Sequence, residues 1–316
     1  MPCLKRVIAV SLCLLSGSIA LPQTGTVTSN PYQGVTYVRR AETSTRGLPV
    51  VMHILQIDLR VHGIGFKISP DNPNMGFETT TQSTLDYMNL ENAQAAVNVG
   101  FFLPANPGSS MPYPTDLLGL AASDGNVYSG FETLSQSYAI LSSAPAINIG
   151  RDNLACIVHS NELTPAPDDV VEGVTLWNAF AGSAQIVTDG VKTIPCYRDT
   201  THPGCRLTPA NGYDNNNSWY HAYRARMAAG LSKDNASLLL FSVDESGGST
   251  GMRVDDVANL LIHDYNVYNA LNLDGGGSTT MALRDPVTGV GRIVNMPNNK
   301  PNPRLVGNSL AIFARR

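Results

Sequence analysis

The stretch Leu238 to Thr280, LLLFSVDESGGSTGMRVDDVANLLIHDYNVYNALNLDGGGSTT, leaves this chain the fewest options. An apolar run, Leu238 to Val243, ends on Asp244 and a glycine-rich loop. Val254, Val257, Ala258, Leu261 and Tyr265 then recur every three or four residues, the period of a helix with one buried face. A second apolar run, Ala270 to Leu273, ends on Asp274 and the glycines 275 to 277. Strand, helix, strand implies a parallel βαβ unit with a right-handed crossover. Open α/β sheets hold ligands at the carboxyl ends of their strands, where both aspartates fall. Were the two strands neighbours, roughly 4.8 Å apart, two carboxylates would share one rim. The expected fold is therefore α/β (mixed α+β), a twisted mixed sheet with flanking helices.

The amino terminus carries a different signal. Lys5 and Arg6 precede the apolar run VIAVSLCLLSGSIA, and Ser18-Ile19-Ala20 presents the small residues a signal peptidase reads. Residues 1–20 are expected to be a signal peptide, making the mature protein secreted or periplasmic. Cleavage would leave Cys156, Cys196 and Cys205. In an oxidising compartment Cys196 and Cys205 are expected to form a disulfide, with Cys156 a small hydrophobe. No later apolar run approaches the ~20 residues that span a bilayer. A net charge of −4 gives no electrostatic footing for nucleic acid. Scattered histidines without a Cys-x-x-Cys pair point to no metal and no cofactor.

Between these landmarks the pattern is rich in strands. Residues 21–31 are small and polar and are expected to be a disordered lead-in; 32–316 make one domain. YVRR and VVMHILQIDLRV alternate like half-buried strands, and AAVNV is a buried one that delivers Asn98, Phe101 and Phe102 into a Pro/Gly-rich loop. Asp124-Gly125 and Asp189-Gly190 read as hairpin turns, and Asp285-Pro286 as another. RLVGNSLAIF closes the chain as a strand. Asp255 and Asp256 suit a helix's first turn, where negative charge is favourable.

Several pieces in this order resemble the phosphodiester glycosidase family: NVGFF (Asn98 to Phe102), SDGNVYS, the run Ala225 to Gly230, LLLFSVDES, NALNLDGGGSTTM and the closing strand. DGGGS after an apolar strand is the most specific of them. Val99 replaces a glycine usual in the first motif, Ala225 and Met227 flank the arginine differently, and Glu245 stands where a glycine usually follows the first aspartate. The resemblance implies hydrolysis of a sugar-1-phosphodiester, such as an α-N-acetylglucosamine-1-phosphodiester, to free sugar and phosphomonoester. Cleavage at an anomeric carbon passes through an oxocarbenium-like transition state that two carboxyl groups normally manage. The candidate catalytic residues are Asp244, Asp274 and Arg226. Arg304 would also lie near the phosphate, since a planar guanidinium can donate two hydrogen bonds to its oxygens. Gly275, Gly276 and Gly277 would let backbone N–H groups approach the ligand, and Asn98, Ser278, Thr279 and Asn308 would hydrogen-bond to it.

Rival motifs are weaker. Gly247 to Gly251 matches the Gly-x-Ser-x-Gly nucleophile elbow, yet the only later histidine is His263, inside the following helix. A non-catalytic carbohydrate-binding or polysaccharide-assembly protein on the same scaffold is the alternative function. A metal-dependent phosphodiesterase using the aspartates as ligands is a third.

Overall fold

The computed structural model describes residues 24–72, 76–103, 110–131, 140–164, 166, 168–209, 212–296 and 304–316. The expected signal peptide lies outside these residues, as does the part of the Pro/Gly-rich loop at 104–109.

The architecture corrects the α/β expectation: the fold is mostly β. Among the described residues two α-helices, Thr84–Leu90 and Val254–Tyr265, accompany three larger sheets whose strand pairings are all antiparallel. The main sheet runs Gly25–Tyr32, Val35–Thr43, Pro49–Asp58, Ser237–Val243, Arg226–Leu231, Asn269–Leu273, Ala184–Thr188 and Val191–Lys192. The strand, helix and strand of the central stretch are all present. What was missed lies between them. Arg226–Leu231 pairs with both strands, Arg226 opposite Val243 and Met227 opposite Leu273. The two aspartate-bearing strands thus run in the same direction, roughly 10 Å rather than 4.8 Å apart.

The cause is local. Arg226–Leu231 and Ser237–Val243 form a tight hairpin, with Asn235 at φ 52° and a Ser232 N–H bond to the Ser237 carbonyl. That hairpin occupies one side of each strand before the helix crosses. The returning chain therefore docks on the free edge of Arg226–Leu231.

The polar segment read as a lead-in is also corrected. From Gly25 it forms an edge strand that is exposed almost throughout and pairs with Val35–Thr43. Ladder hydrogen bonds hold it, and an edge strand needs no apolar face to make them. Asp124-Gly125 and Asp189-Gly190 do turn hairpins, with φ positive at all four residues.

A second sheet, ordered Gly291–Ile293, Met281–Arg284, Ala95–Asn98, Ser309–Phe313 and Gly65–Ile68, packs on one face of the main sheet. Leu240, Met227, Leu273, Val97, Met281 and Leu310 meet in the core between them. Val254–Tyr265 covers the opposite face of the main sheet with Val254, Val257, Ala258 and Leu261. Full burial of a valine or leucine side chain, as at Val254, Val257 and Leu261, is worth about 1.5–3 kcal/mol. Asp255 and Asp256 do sit in its first turn, and Asn266, left-handed at φ 53°, ends it. Thr84–Leu90 starts from Ser83, whose hydroxyl accepts from the Asp86 N–H. It buries Tyr87 and Met88 on the outer face of the second sheet.

Candidate active site

The rim at which Ser237–Val243 and Asn269–Leu273 end gathers most of the expected residues. Asp244 leaves its strand toward the core between the sheets and is 3% exposed. Its Oδ1 accepts from the Met296 N–H at 2.8 Å and from Asn295 Nδ2 at 3.3 Å. Its Oδ2 lies 3.2 Å from His53 Nε2. Three partners thus fix the orientation of one buried carboxylate.

Asp274 is half-buried. Its N–H donates to the Val99 carbonyl at 3.0 Å and its own carbonyl accepts from Asn98 Nδ2 at 2.7 Å, so the second sheet fixes its backbone. Burial pushes its carboxyl up to about 6; the Ser278 hydroxyl, the Arg304 charge and the Gly275 N–H pull the other way without cancelling it. Arg304, exposed, donates from Nη1 to the Ser278 hydroxyl at 3.3 Å. A cation, a hydroxyl and a carboxyl that titrates near neutrality therefore adjoin one another.

The glycine turn has a steric origin. A side chain on Gly275 would place its Cβ 2.9 Å from the Ala225 carbonyl oxygen, and Gly276 adopts φ 57° while donating its N–H to that same oxygen at 2.8 Å. Only glycine meets both demands cheaply. Asn98 and Asn308 are fasteners in this arrangement. Asn98 Oδ1 accepts from the Thr280 N–H at 2.8 Å, and Asn308 Oδ1 accepts from the Gly100 N–H at 2.9 Å. The Thr279 hydroxyl is buried with no hydrogen-bond partner among the described residues.

Among the described residues no hydrogen bond or ion pair joins the Arg226 side chain to Asp274. Arg226 shares the helix-bearing face of the main sheet with Val243, opposite the face from which Asp244 reaches His53. Fully buried, it donates to the carbonyls of Met252 at 3.1 Å, Trp219 at 3.0 Å and Ala222. Burial pulls its pKa down from the usual guanidinium range. Ser249 of the Gly-x-Ser-x-Gly match is likewise occupied, donating to the Asp244 carbonyl and accepting from the Val51 N–H. Among the described residues no group of three His, Cys, Asp or Glu side chains could hold a metal ion. Two surface hollows of about 580 and 400 Å³ lie elsewhere, at the Asn30–Thr36 hairpin and beside the Cys196–Cys205 disulfide.

A family model described as phosphodiester glycosidase matches residues 91–313. The chain belongs to that family. The matched stretch carries Asn98, the whole glycine turn, both aspartates, Arg304 and Asn308. No curated protein matches the chain. Among solved structures it is similar to the zebrafish N-acetylglucosamine-1-phosphodiester α-N-acetylglucosaminidase catalytic domain, described as auto-inhibited by its pro-peptide. That likeness has 20% identity, covers 92% of this chain and 88% of that one, and has a TM-score of 0.60. A hypothetical protein from Synechocystis shares 16% identity over 93% of this chain and 64% of its own, with a TM-score of 0.56. A Burkholderia pseudomallei protein described as exported shares 15% over 84% and 74%, with a TM-score of 0.54. At these identities the likeness is one of fold.

Two residues that contact Asp244 were not found from the sequence. His53 lies outside the matched stretch, on Pro49–Asp58, where a lone histidine in an alternating strand reads as core. Asn295 follows Gly291–Ile293 and joins the two aspartate loops. It donates to the Thr279 carbonyl at 2.9 Å as well as to Asp244, and accepts from the Met281 N–H at 2.8 Å. No sequence motif marked either of them.

Proposed function

We propose that this chain is an exported hydrolase that cleaves the glycosidic bond of a sugar-1-phosphodiester, such as an α-N-acetylglucosamine-1-phosphodiester. Family membership supports the reaction class. The observation that carries the reading is the Asp274 carboxyl, raised to about 6 and flanked by Ser278 and Arg304. A carboxyl in that range is still partly protonated near neutral pH, as a general acid must be. In this reading Asp274 gives its proton to the oxygen that leaves with the phosphate. Water adds to the anomeric carbon, and the products are the free sugar and a phosphomonoester. Arg304, with free N–H groups facing solvent, takes the phosphate oxygens. Gly276 and Gly277, both half-buried, present backbone to the ligand. The Asp244 carboxylate offsets the positive charge that builds on the sugar ring in the transition state.

Export rests on the amino-terminal pattern and on the Cys196–Cys205 disulfide, which the structure contains. Disulfides persist in oxidising compartments.

The deciding experiment is incubation of the purified mature protein with an α-N-acetylglucosamine-1-phosphodiester, measuring free sugar beside an Asp274→Asn control. Sugar release that the control abolishes supports the reading. No release, with sugar phosphate still binding through Arg304, overturns the hydrolase and leaves a carbohydrate-binding protein.

A further inference from the structure

His53 is 2% exposed and has a partner on each ring nitrogen: Tyr37 Oη lies 2.7 Å from Nδ1, and Asp244 Oδ2 lies 3.2 Å from Nε2. A carboxylate can only accept, so Nε2 carries the N–H that faces Asp244, and Nδ1 is left to accept from the Tyr37 hydroxyl. Burial pushes that hydroxyl up to about 12, so it remains a donor throughout the physiological range. The Tyr37 ring also lies nearly parallel to the imidazole, with centroids 6.1 Å apart and planes at 19°. Charge on the Tyr37 side comes from Arg39 and Arg292. The Asp244 carboxylate therefore fixes the tautomer with an N–H directed at itself, and the Tyr37 hydroxyl satisfies the other ring nitrogen.

A buried histidine-aspartate pair is by itself weak evidence of function, since an apolar pair of similar volume is often as stable. This one is not closed on itself. The second Asp244 oxygen is bonded to Asn295 and to the Met296 N–H, and Asn295 in turn holds the Thr279 carbonyl of the glycine turn. The line Tyr37, His53, Asp244, Asn295, Thr279 thus runs from the interior of the main sheet to the loop that carries Asp274.

We propose that His53 is a positioning residue of this active site: its Nε2–H holds the Asp244 carboxylate oriented for the reaction, and the Tyr37 hydroxyl holds the ring by its other nitrogen. The proposal rests on the glycosidase reading above. His53 touches no substrate; it acts through Asp244.

The test compares the full mature chain with His53→Gln, His53→Leu and Tyr37→Phe, measuring kcat and KM on the same phosphodiester and the thermal midpoint of each. Glutamine keeps an N–H for Asp244 and an acceptor for Tyr37; leucine keeps only volume. His53→Leu is expected to lose about 10- to 100-fold in kcat, the range for one hydrogen bond to a charged group, with KM held. His53→Gln is expected to recover most of that loss, and Tyr37→Phe to fall between. Ring ¹⁵N resonances of the wild type are expected to show His53 protonated on Nε2, and Asp244→Asn to change them; this readout stands even if His53→Leu does not fold. A folded His53→Leu with wild-type kcat, an equal loss in the glutamine variant, or a ring protonated on Nδ1 would overturn the proposal while leaving the glycosidase intact. A wild type that releases no sugar overturns the glycosidase reading, and this proposal with it.

Discussion

The Arg226 guanidinium lies 4.3 Å from the centroid of the Trp219 ring and donates to the Trp219 carbonyl at 3.0 Å. The first residue of the central strand is thereby tied to the turn Trp219–His221, and the same guanidinium reaches the Met252 carbonyl ahead of the helix. This geometry engages Arg226 with backbone carbonyls, while the charge of Arg304 acts on Asp274 and its Nη1 bonds to Ser278.

The two arginines are therefore expected to fail differently. Arg226→Met leaves buried carbonyls unpaired and should cost about 2–4 kcal/mol of stability. Arg226→Lys should recover little, because an ammonium cannot reproduce a planar fork. Arg304→Ala should leave the denaturation midpoint in place and raise KM for the phosphodiester. Denaturant titration and steady-state kinetics on both variants check this; a stable Arg226→Met with raised KM would put Arg226 at the phosphate after all.

Asp274 gives a pH dependence with a definite sign. Its folded pKa is about 6, above the 3.8 of a free aspartate, chiefly through burial. The favourable contribution is complete below the unfolded value and is lost as pH rises through about 6. Above that pH the ionised group costs up to about 3 kcal/mol. Asp274→Asn should accordingly be more stable than wild type at pH 8, with the advantage shrinking between pH 6 and 4. Activity that needs the protonated form should fall above pH 6. Arg304→Ala, which removes a charge that lowers this pKa, should move that limb upward. Melting curves and pH-rate profiles test both, and an unmoved limb in Arg304→Ala would refute the coupling.

The sequence already showed the strands at 238–243 and 270–273 and the helix between them, because an apolar run and a 3.6-residue period are local properties. It hid the strand between. Arg226–Leu231 is buried at all six positions, so RMAAGL shows no alternation, and its Ala and Gly lack the bulk that marks a strand. Ala95–Asn98 is buried throughout in the same way, yet its Val97 and the apolar run around it let it be read as a strand. Which strands pair is decided by contacts far apart in the chain, and there a pattern of strand, helix, strand misleads toward a parallel sheet. The site divides along the same line. Asp274, Gly275 and Ser278 share one glycine turn whose geometry demands its residues. His53 and Asn295 come from distant elements and meet Asp244 only in the folded chain.

The Cys196–Cys205 bond closes a loop with a sequence separation of 9. The Leu207 N–H bonds to the Cys196 carbonyl, and Asn215 binds both the Tyr197 N–H and its carbonyl, so the loop is knitted to the segment that leads to Trp219. Cross-linking a loop of this size removes about 2–3 kcal/mol of chain entropy from the unfolded state. A Cys196→Ser/Cys205→Ser double variant should lose that much stability. Adding a thiol reductant should lower the melting temperature of the wild type and leave the double variant unmoved. A wild type indifferent to reductant would show that the bond contributes nothing.

Asn98 offers the sharpest separation of position from chemistry. Its Nδ2 donates to the Asp274 carbonyl at 2.7 Å and its Oδ1 accepts from the Thr280 N–H at 2.8 Å, so one carboxamide spans the two ends of the glycine turn. Asn98→Asp keeps the acceptor for Thr280 but sets a carboxylate oxygen against the Asp274 carbonyl, acceptor against acceptor, with no exposed surface to relieve it. Asn98→Ala leaves both backbone groups unpaired, at about 1–3 kcal/mol each. Asn98→Asp is expected to be the less active of the two, because repulsion displaces the Asp274 backbone whereas a small void lets it stay. Its negative charge should also push the Asp274 carboxyl higher still. The two variants are to be compared by kcat, by melting temperature and by the pH at which activity falls. Should Asn98→Ala fold stably and lose only KM, the carboxamide would instead be contacting the substrate.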